Sequence, residues 1–100
     1  MSKPIYKLCL VRGFTEAYYQ LTETKQKELW DGVDKVLKSL GVEMCGPYYD
    51  CRWSNNKYAS WFILKCPGAE AAIADTQGAE KIQLFRYVII ETILGIEATQ

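Results

Sequence analysis

The sequence predicts a single α+β domain over residues 1–100, with the element order β-α-β-β-α-β and a four-stranded antiparallel sheet. One hundred residues is the length of one domain. Two segments with apolar residues at helical spacing separate short runs rich in β-branched and aromatic residues, which are typical of strands. Each helix then links two strands that are parallel with another strand between them. Right-handed crossovers place both helices on the same face of the sheet.

The first half of the chain contains one strand and one helix. Residues Ile5 to Arg12 form an apolar run that predicts a buried strand, ended by Gly13. Thr22 is predicted to be the N-cap of a helix that runs to Leu40, in which apolar side chains recur at helical spacing. Gly41 is placed to end that helix.

A predicted β-hairpin occupies the middle of the chain. Its strands are Val42 to Trp53 and Lys57 to Cys66, joined by the turn Ser54 to Lys57, in which asparagines tolerate left-handed backbone. Pro47 lacks an amide proton, so we expect a bulge or a sheet edge there. If Trp53 pairs with Tyr58 across the turn, Cys45 lies opposite Cys66, whereas a bulge at Pro47 breaks that register.

The last predicted elements are a helix from Ala69 to Phe85, weakened by Gly78, and a strand from Tyr87 to Ile96. The first and last strands are apolar on both faces, but the helices cover only one face of the sheet. The economical way to cover the other face is a second copy of the chain, sheet against sheet. The sequence therefore predicts a homodimer.

Three segments carry a resemblance to known proteins: AYYQLTETKQKELW before and within the first helix, GVEM followed by YYD, and the ending VIIETILGIE. With the order of elements, they resemble the dimeric α/β-barrel superfamily, whose protomer is ferredoxin-like. Within it the pattern is similar to darcynin-like proteins and to antibiotic-biosynthesis-monooxygenase-like barrels. The resemblance implies a homodimer with a cavity between sheet and helices or inside the joint barrel. It implies no particular chemistry, since this fold hosts many.

Composition narrows the possible functions. The chain has 12 basic and 12 acidic residues without a basic run, which argues against nucleic-acid binding. It contains no histidine, which excludes Ser-His and Cys-His catalytic pairs and a proximal haem histidine. No segment has the length and apolarity of a membrane span, and the N-terminus lacks the pattern of a signal peptide. We expect a cytoplasmic protein without membrane partners and without a cofactor.

Glu91 is the candidate catalytic residue, because it is a carboxylate within an apolar strand. Desolvation there favours a raised pKa and a role as general acid or base. Alternation places Lys7, Cys9 and Val11 on one face of the first strand, and an antiparallel neighbour brings Glu91 within reach of Lys7. The alternative is a structural ion pair or a solvent-facing carboxylate at a dimer rim.

The candidate ligand-binding residues are a polar set and an aromatic set. An arginine at a cavity mouth suits an anionic ligand group, and aromatic rings stack on an aromatic ligand. The alternatives are surface salt bridges for the polar residues and core or dimer interface for the rings. The residues are Arg12, Asp50, Arg52, Tyr48, Trp53 and Trp61, with Tyr18 and Tyr19 as candidates for an entrance.

The four cysteines do not have the spacing of a zinc module, so we expect no metal site. Two facing thiols at Cys45 and Cys66 are able to form a redox disulfide or bind a soft metal; otherwise the cysteines are small buried hydrophobic residues.

Together these observations predict a protein that binds a small aromatic or hydrophobic molecule in a barrel cavity. A cofactor-independent monooxygenase- or isomerase-like enzyme and a non-enzymatic interaction module are the alternatives.

Overall fold

The computed structural model describes residues 3–98, which form one antiparallel sheet with helices packed against one of its faces. The sheet has five strands in the order β2-β4-β1-β5, and β3 also pairs with β4. The predicted α+β class is confirmed, and the architecture is compatible with a ferredoxin-like fold. The elements are β1 (Ile5–Phe14), α1 (Glu16–Tyr19), α2 (Glu23–Ser39), β2 (Glu43–Met44), β3 (Tyr49–Asp50), β4 (Ser60–Cys66), α3 (Ala69–Lys81), α4 (Leu84–Tyr87) and β5 (Val88–Gly95).

β1 is the central strand and is longer than predicted. It pairs antiparallel with both β4 and β5, and it continues to Phe14 instead of ending at Gly13. The pairing with β5 shifts register between Val11 and Gly13. This bulge lets the strand continue past Gly13, where the sequence predicts that it ends.

The first long helix, α2, begins and ends as its sequence predicts. The side chain of Thr22 accepts a hydrogen bond from the Lys25 amide at 3.2 Å, which caps the N-terminus. Gly41 follows the helix with a φ of +68°, a left-handed conformation that glycine adopts without strain.

The predicted second strand is split into β2 and β3, with Gly46 and Pro47 between them. Met44 lies opposite Leu64, whereas Tyr49 lies opposite Trp61, so the two pieces pair with β4 in different registers. The sequence prediction of a bulge or edge position at Pro47 is confirmed by this interruption at the edge of the sheet.

The predicted juxtaposition of Cys45 and Cys66 is wrong. The interruption shifts the register, so the Cys45 amide donates to the carbonyl of Ile63 at 2.8 Å, and Cys66 pairs with Ile5. All four cysteines carry free thiols. The hairpin connection is also longer than predicted: the side-chain oxygen of Asn55 accepts from the Tyr58 amide at 2.6 Å and holds a loop instead of a tight turn.

The predicted second helix divides into α3 and α4. Gln83, between them, has a left-handed φ of +61°, which ends regular helical hydrogen bonding before Phe85. Gly78 does not break α3. It lies where α3 approaches α2, and a β-carbon there would come within 2.6 Å of a Val36 methyl group.

The two faces of the sheet differ in what covers them. Cys9, Leu64 and Cys66 face the helices, pack against residues of α2 and α3 and are buried. The opposite face carries mainly apolar side chains from β1, β4 and β5, several of them exposed. We call this second surface the open face. Its apolar members are Leu8, Leu10, Tyr49, Trp61, Ile63, Ile89 and Ile93.

In residues 3–98, no helix is long and apolar enough to cross a lipid bilayer.

Candidate functional site

A cavity of about 590 Å³ lies between the helix-facing side of the sheet and the helices. Its walls are mainly apolar because successive side chains of a strand point to opposite faces, and here the apolar ones point toward the helices. A cavity of this size accommodates a small organic molecule. The sheet contributes Cys9, Val11, Phe62, Leu64, Val88 and Ile90, and the helices contribute Val33, Val36, Leu37, Ala79, Leu84 and Phe85.

Three aromatic side chains form one end of the cavity. The rings of Phe14 and Tyr18 stack with centroids 4.6 Å apart, and the ring of Trp30 stands on edge 6.1 Å from Phe14. The indole N–H of Trp30 donates to the Tyr18 hydroxyl at 3.0 Å. This bond leaves the proton of the Tyr18 hydroxyl available to a ligand, while the rings provide an apolar contact surface.

A buried ion pair forms a polar point in the cavity wall. The ammonium of Lys7 lies 2.6 Å from the Asp75 carboxylate, and Lys7 is only 3% exposed. Lys7 also donates to the Ala72 carbonyl and to the Thr76 hydroxyl, both at 3.0 Å. Both charged residues line the cavity. A buried charge is tolerated only when it is paired and hydrogen-bonded, as it is here.

The predicted ion pair between Lys7 and Glu91 is wrong. Glu91 lies opposite Leu10 in the β1–β5 ladder, and residues paired across a ladder share a face. Lys7 is three residues from Leu10 and therefore points to the other side of the sheet. Its partner comes from α3 instead of β5.

Glu91 lies on the open face, outside the cavity. Its carboxylate is 3.7 Å from both Arg12 Nε and Lys57 Nζ. Among the described residues, Glu91 Oε2 is a buried side-chain oxygen without a hydrogen-bond partner. A catalytic role for Glu91 stays a prediction, and it requires that the open face belongs to a closed site.

Of the predicted ligand-binding residues, Tyr48 lines the cavity. Its ring meets Phe62 at a centroid distance of 4.9 Å, in an edge-on arrangement, and much of it remains exposed. Tyr48 therefore stands where the cavity meets solvent.

The other predicted ligand-binding residues lie elsewhere. Arg52 binds Asp50 through two side-chain hydrogen bonds of 3.2 and 2.9 Å, and these bonds hold the pKa of Asp50 below its usual value. Trp53 is 87% exposed, and Trp61 stacks on Tyr49 with centroids 4.3 Å apart on the open face. Arg12 is the partner of Glu91.

The thiol in the cavity wall is not activated. Burial raises the pKa of Cys9 to about 12, despite the nearby Lys7 ammonium, so the thiol is protonated at neutral pH. Within residues 3–98, no three histidine, cysteine, aspartate or glutamate side chains cluster as metal ligands.

Sequence reasoning missed the partner of Lys7. Lys7 is a visible signal, because it interrupts the apolar run IYKLCLV, and Asp75 likewise interrupts AAIADTQGA on the second long helix. Each pattern suggests a buried charge, but only the packing of α3 over β1 shows that the two charges meet.

The chain is similar to the solution structure of a hypothetical Arabidopsis thaliana protein. The TM-score is 0.59, the sequences are 14% identical, and the match covers 99% of this chain and 92% of the other. At this identity the likeness concerns the fold alone. The sequence matches no protein-family model and no curated protein.

Proposed function

We propose that this chain binds a small aromatic or largely apolar molecule in the cavity between its sheet and its helices. The observation that carries the proposal is the cavity itself, about 590 Å³ in volume with aromatic and aliphatic walls. The volume opens to solvent beside Tyr48, so an apolar ligand that enters it removes the aromatic and aliphatic walls from water, which favours binding. A few polar groups in an apolar pocket are typical of ligand sites.

We include a second copy of the chain in this proposal, placed on the open face. Ile89 and Ile93 of β5 are about half exposed there, and the stacked Tyr49 and Trp61 rings lie on the same face on the other side of β1. A contiguous apolar surface is rare on monomers and common at interfaces. Sheet-to-sheet pairing buries these side chains and removes Glu91 from bulk water, which gives the joint barrel of the sequence prediction.

A test of ligand binding uses naphthalene as probe and two aromatic residues of the same hairpin as variants. Tyr48→Ala removes a ring that lines the cavity, whereas Trp53→Ala removes an exposed ring outside it. An aromatic contact contributes about 0.5–1.5 kcal/mol beyond its buried area. We therefore expect Tyr48→Ala to weaken naphthalene binding by about three- to tenfold in an NMR titration, and Trp53→Ala to leave it unchanged.

The opposite ranking contradicts the proposal. If Trp53→Ala weakens binding and Tyr48→Ala does not, the ligand lies on the hairpin surface. If neither naphthalene nor its hydroxyl derivative 2-naphthol binds to the wild-type protein at its solubility limit, the cavity is not a site for aromatic molecules.

A cofactor-independent enzyme of monooxygenase or isomerase type is the second candidate. The observation that favours it is the Asp75 carboxylate in the wall of an apolar cavity, where Lys7 holds it in place and it is able to accept a proton from a substrate. Monooxygenation is measured as a change in mass of a phenolic compound after incubation with the protein in air, and isomerisation as a change in its chromatographic retention at unchanged mass. Comparison of Asp75→Asn with Glu91→Gln, each with its fold verified by circular dichroism, then shows which carboxylate takes part.

A further inference from the structure

The Lys7 ammonium has no proton left for a ligand. An ammonium has three N–H donors. All three are used within the protein: by the Asp75 carboxylate at 2.6 Å, the Ala72 carbonyl at 3.0 Å and the Thr76 hydroxyl at 3.0 Å. Lys7 therefore neutralises Asp75 and fixes its position, but does not offer an anion-binding site.

Asp75 and Thr76 keep unused hydrogen-bonding capacity next to Lys7. Lys7 binds Asp75 through Oδ2, and within residues 3–98 the other carboxylate oxygen, Oδ1, has no hydrogen-bond partner. The Asp75 side chain retains 12% exposure and lines the cavity. Thr76 accepts from Lys7, so its own hydroxyl proton remains free. Thr76 is exposed and lines the cavity beside the buried Asp75, so the rim of the cavity presents one acceptor and one donor on adjacent residues.

The charges around the cavity disfavour an anionic ligand. Its charged lining residues are one basic, Lys7, and two acidic, Asp34 and Asp75. A ligand carboxylate placed here lies beside the Asp75 carboxylate without a free cationic donor. Two carboxylates in contact repel each other strongly where apolar walls lower the dielectric constant.

We infer that the cavity selects aromatic or apolar ligands that carry a neutral hydroxyl group, with Asp75 and Thr76 as the residues that recognise it. The hydroxyl donates its proton to Asp75 Oδ1 and accepts a hydrogen bond from Thr76. A phenol or an alcohol satisfies both groups at once, whereas an ether, a hydrocarbon or a carboxylate leaves at least one of them unpaired. This inference rests on the proposed function and names its ligand class.

The experiment compares four probes of similar shape: 2-naphthol, 2-methoxynaphthalene, naphthalene and 2-naphthoate. Their dissociation constants are measured at pH 7 by NMR titration of the ¹⁵N-labelled protein, with the amides of Cys9, Phe62 and Asp75 as reporters. A hydrogen bond to a charged acceptor typically contributes enough to change affinity by about tenfold or more. We expect 2-naphthol to bind about tenfold more tightly than naphthalene and 2-methoxynaphthalene, and 2-naphthoate to bind most weakly.

The outcomes separate the inference from the proposed function. Equal affinities for the three neutral probes, or tightest binding of 2-naphthoate, overturn the hydroxyl preference while the cavity remains a binding site. Failure of all four probes to bind overturns the proposed function and the inference together.

A double variant shows whether Asp75 is the source of the preference. Lys7→Met with Asp75→Leu removes both charges, so it leaves no unpaired charge to unfold the protein. We expect the ratio of the 2-naphthol and naphthalene affinities to fall toward one in this variant. The matched single variant Thr76→Val keeps the ion pair, and we expect an intermediate ratio. A ratio that stays near its wild-type value in both variants contradicts the assigned roles.

Discussion

Lys7 and Asp75 are the residues on which both the core and the cavity depend. The pair is almost completely removed from water, with side chains 4% and 12% exposed. When one partner of a buried pair is removed, the other charge is left without compensation, which is far more costly than removal of both.

We expect Lys7→Met and Asp75→Leu each to lower the free energy of unfolding by about 3–5 kcal/mol, and the double variant to lower it by less than the larger single effect. Urea denaturation followed by circular dichroism measures these values. The control is the exposed pair Lys25–Glu28, at 3.4 Å, where Lys25→Met is expected to cost less than about 0.5 kcal/mol. Additive effects at Lys7 and Asp75 contradict a coupled pair.

Cys9 is expected to make the protein less stable as the pH rises above about 9. Burial raises the pKa of its thiol from 9.0 in the unfolded chain to about 12 in the fold. The unfolded state therefore loses this proton first, and stability falls as pH rises from about 9 to about 12. We expect the midpoint of urea denaturation to fall less steeply with pH in Cys9→Ala than in the wild type. Identical slopes show that Cys9 is not the titrating group.

For single residues, the sequence predicts which side chains share a face of a strand, but not which side chains of other elements they contact. Alternation in β1 correctly places Lys7 with Cys9 and Val11, which all line the cavity. The partner of Lys7 depends on the rotation and position of α3 over the sheet, and no local pattern encodes these. The extra residues between β2 and β3 likewise changed the partner of Cys45, because a register shift moves every later pair.

The contact between α2 and α3 depends on Gly78. This helix position has no side chain, which lets Val36 of α2 approach closely. Sequence reasoning treats Gly78 as a weakness because glycine is a poor helix former. The structure gives it a packing role that propensity alone does not reveal.

We expect Gly78→Ala to destabilise the protein by about 1 kcal/mol, since overpacking against the stiff Val36 side chain outweighs the gain in helix propensity. The control is Gly32→Ala in α2, where an added β-carbon meets Ile82 at an ordinary 3.6 Å. That variant is expected to be stabilised by about 0.5–1 kcal/mol. Thermal denaturation distinguishes the two, and stabilisation by both substitutions contradicts the close approach of the helices.

Over the whole molecule, the helices cover one face of the sheet and leave the open face uncovered. Its exposed isoleucines are the reason to propose a second copy. The order of long elements and the antiparallel sheet were predictable from the sequence, because they depend on hydrophobic periodicity over many residues. The division of the predicted second strand and second helix into two pieces each was not predictable, because each division depends on the backbone conformation of one or two residues.

We expect the wild type to sediment as a dimer and Ile93→Glu to shift it to a monomer, because a carboxylate on the open face cannot be buried without a partner. The matched control is Ile73→Glu, on α3. Ile73 and Ile93 are the same residue type and are both 58% exposed. Sedimentation velocity at micromolar concentration provides the readout. A monomeric wild type, or equal disruption by the two variants, contradicts sheet-to-sheet pairing.

The most direct test of the account is the position of bound naphthalene, determined from intermolecular nuclear Overhauser effects in the wild-type protein. The proposed function predicts contacts from naphthalene to the methyl groups of Val11, Val33 and Leu64, which line the cavity. Contacts only to the methyl groups of Leu8 and Ile93, on the open face, would show that the cavity between sheet and helices is not the binding site.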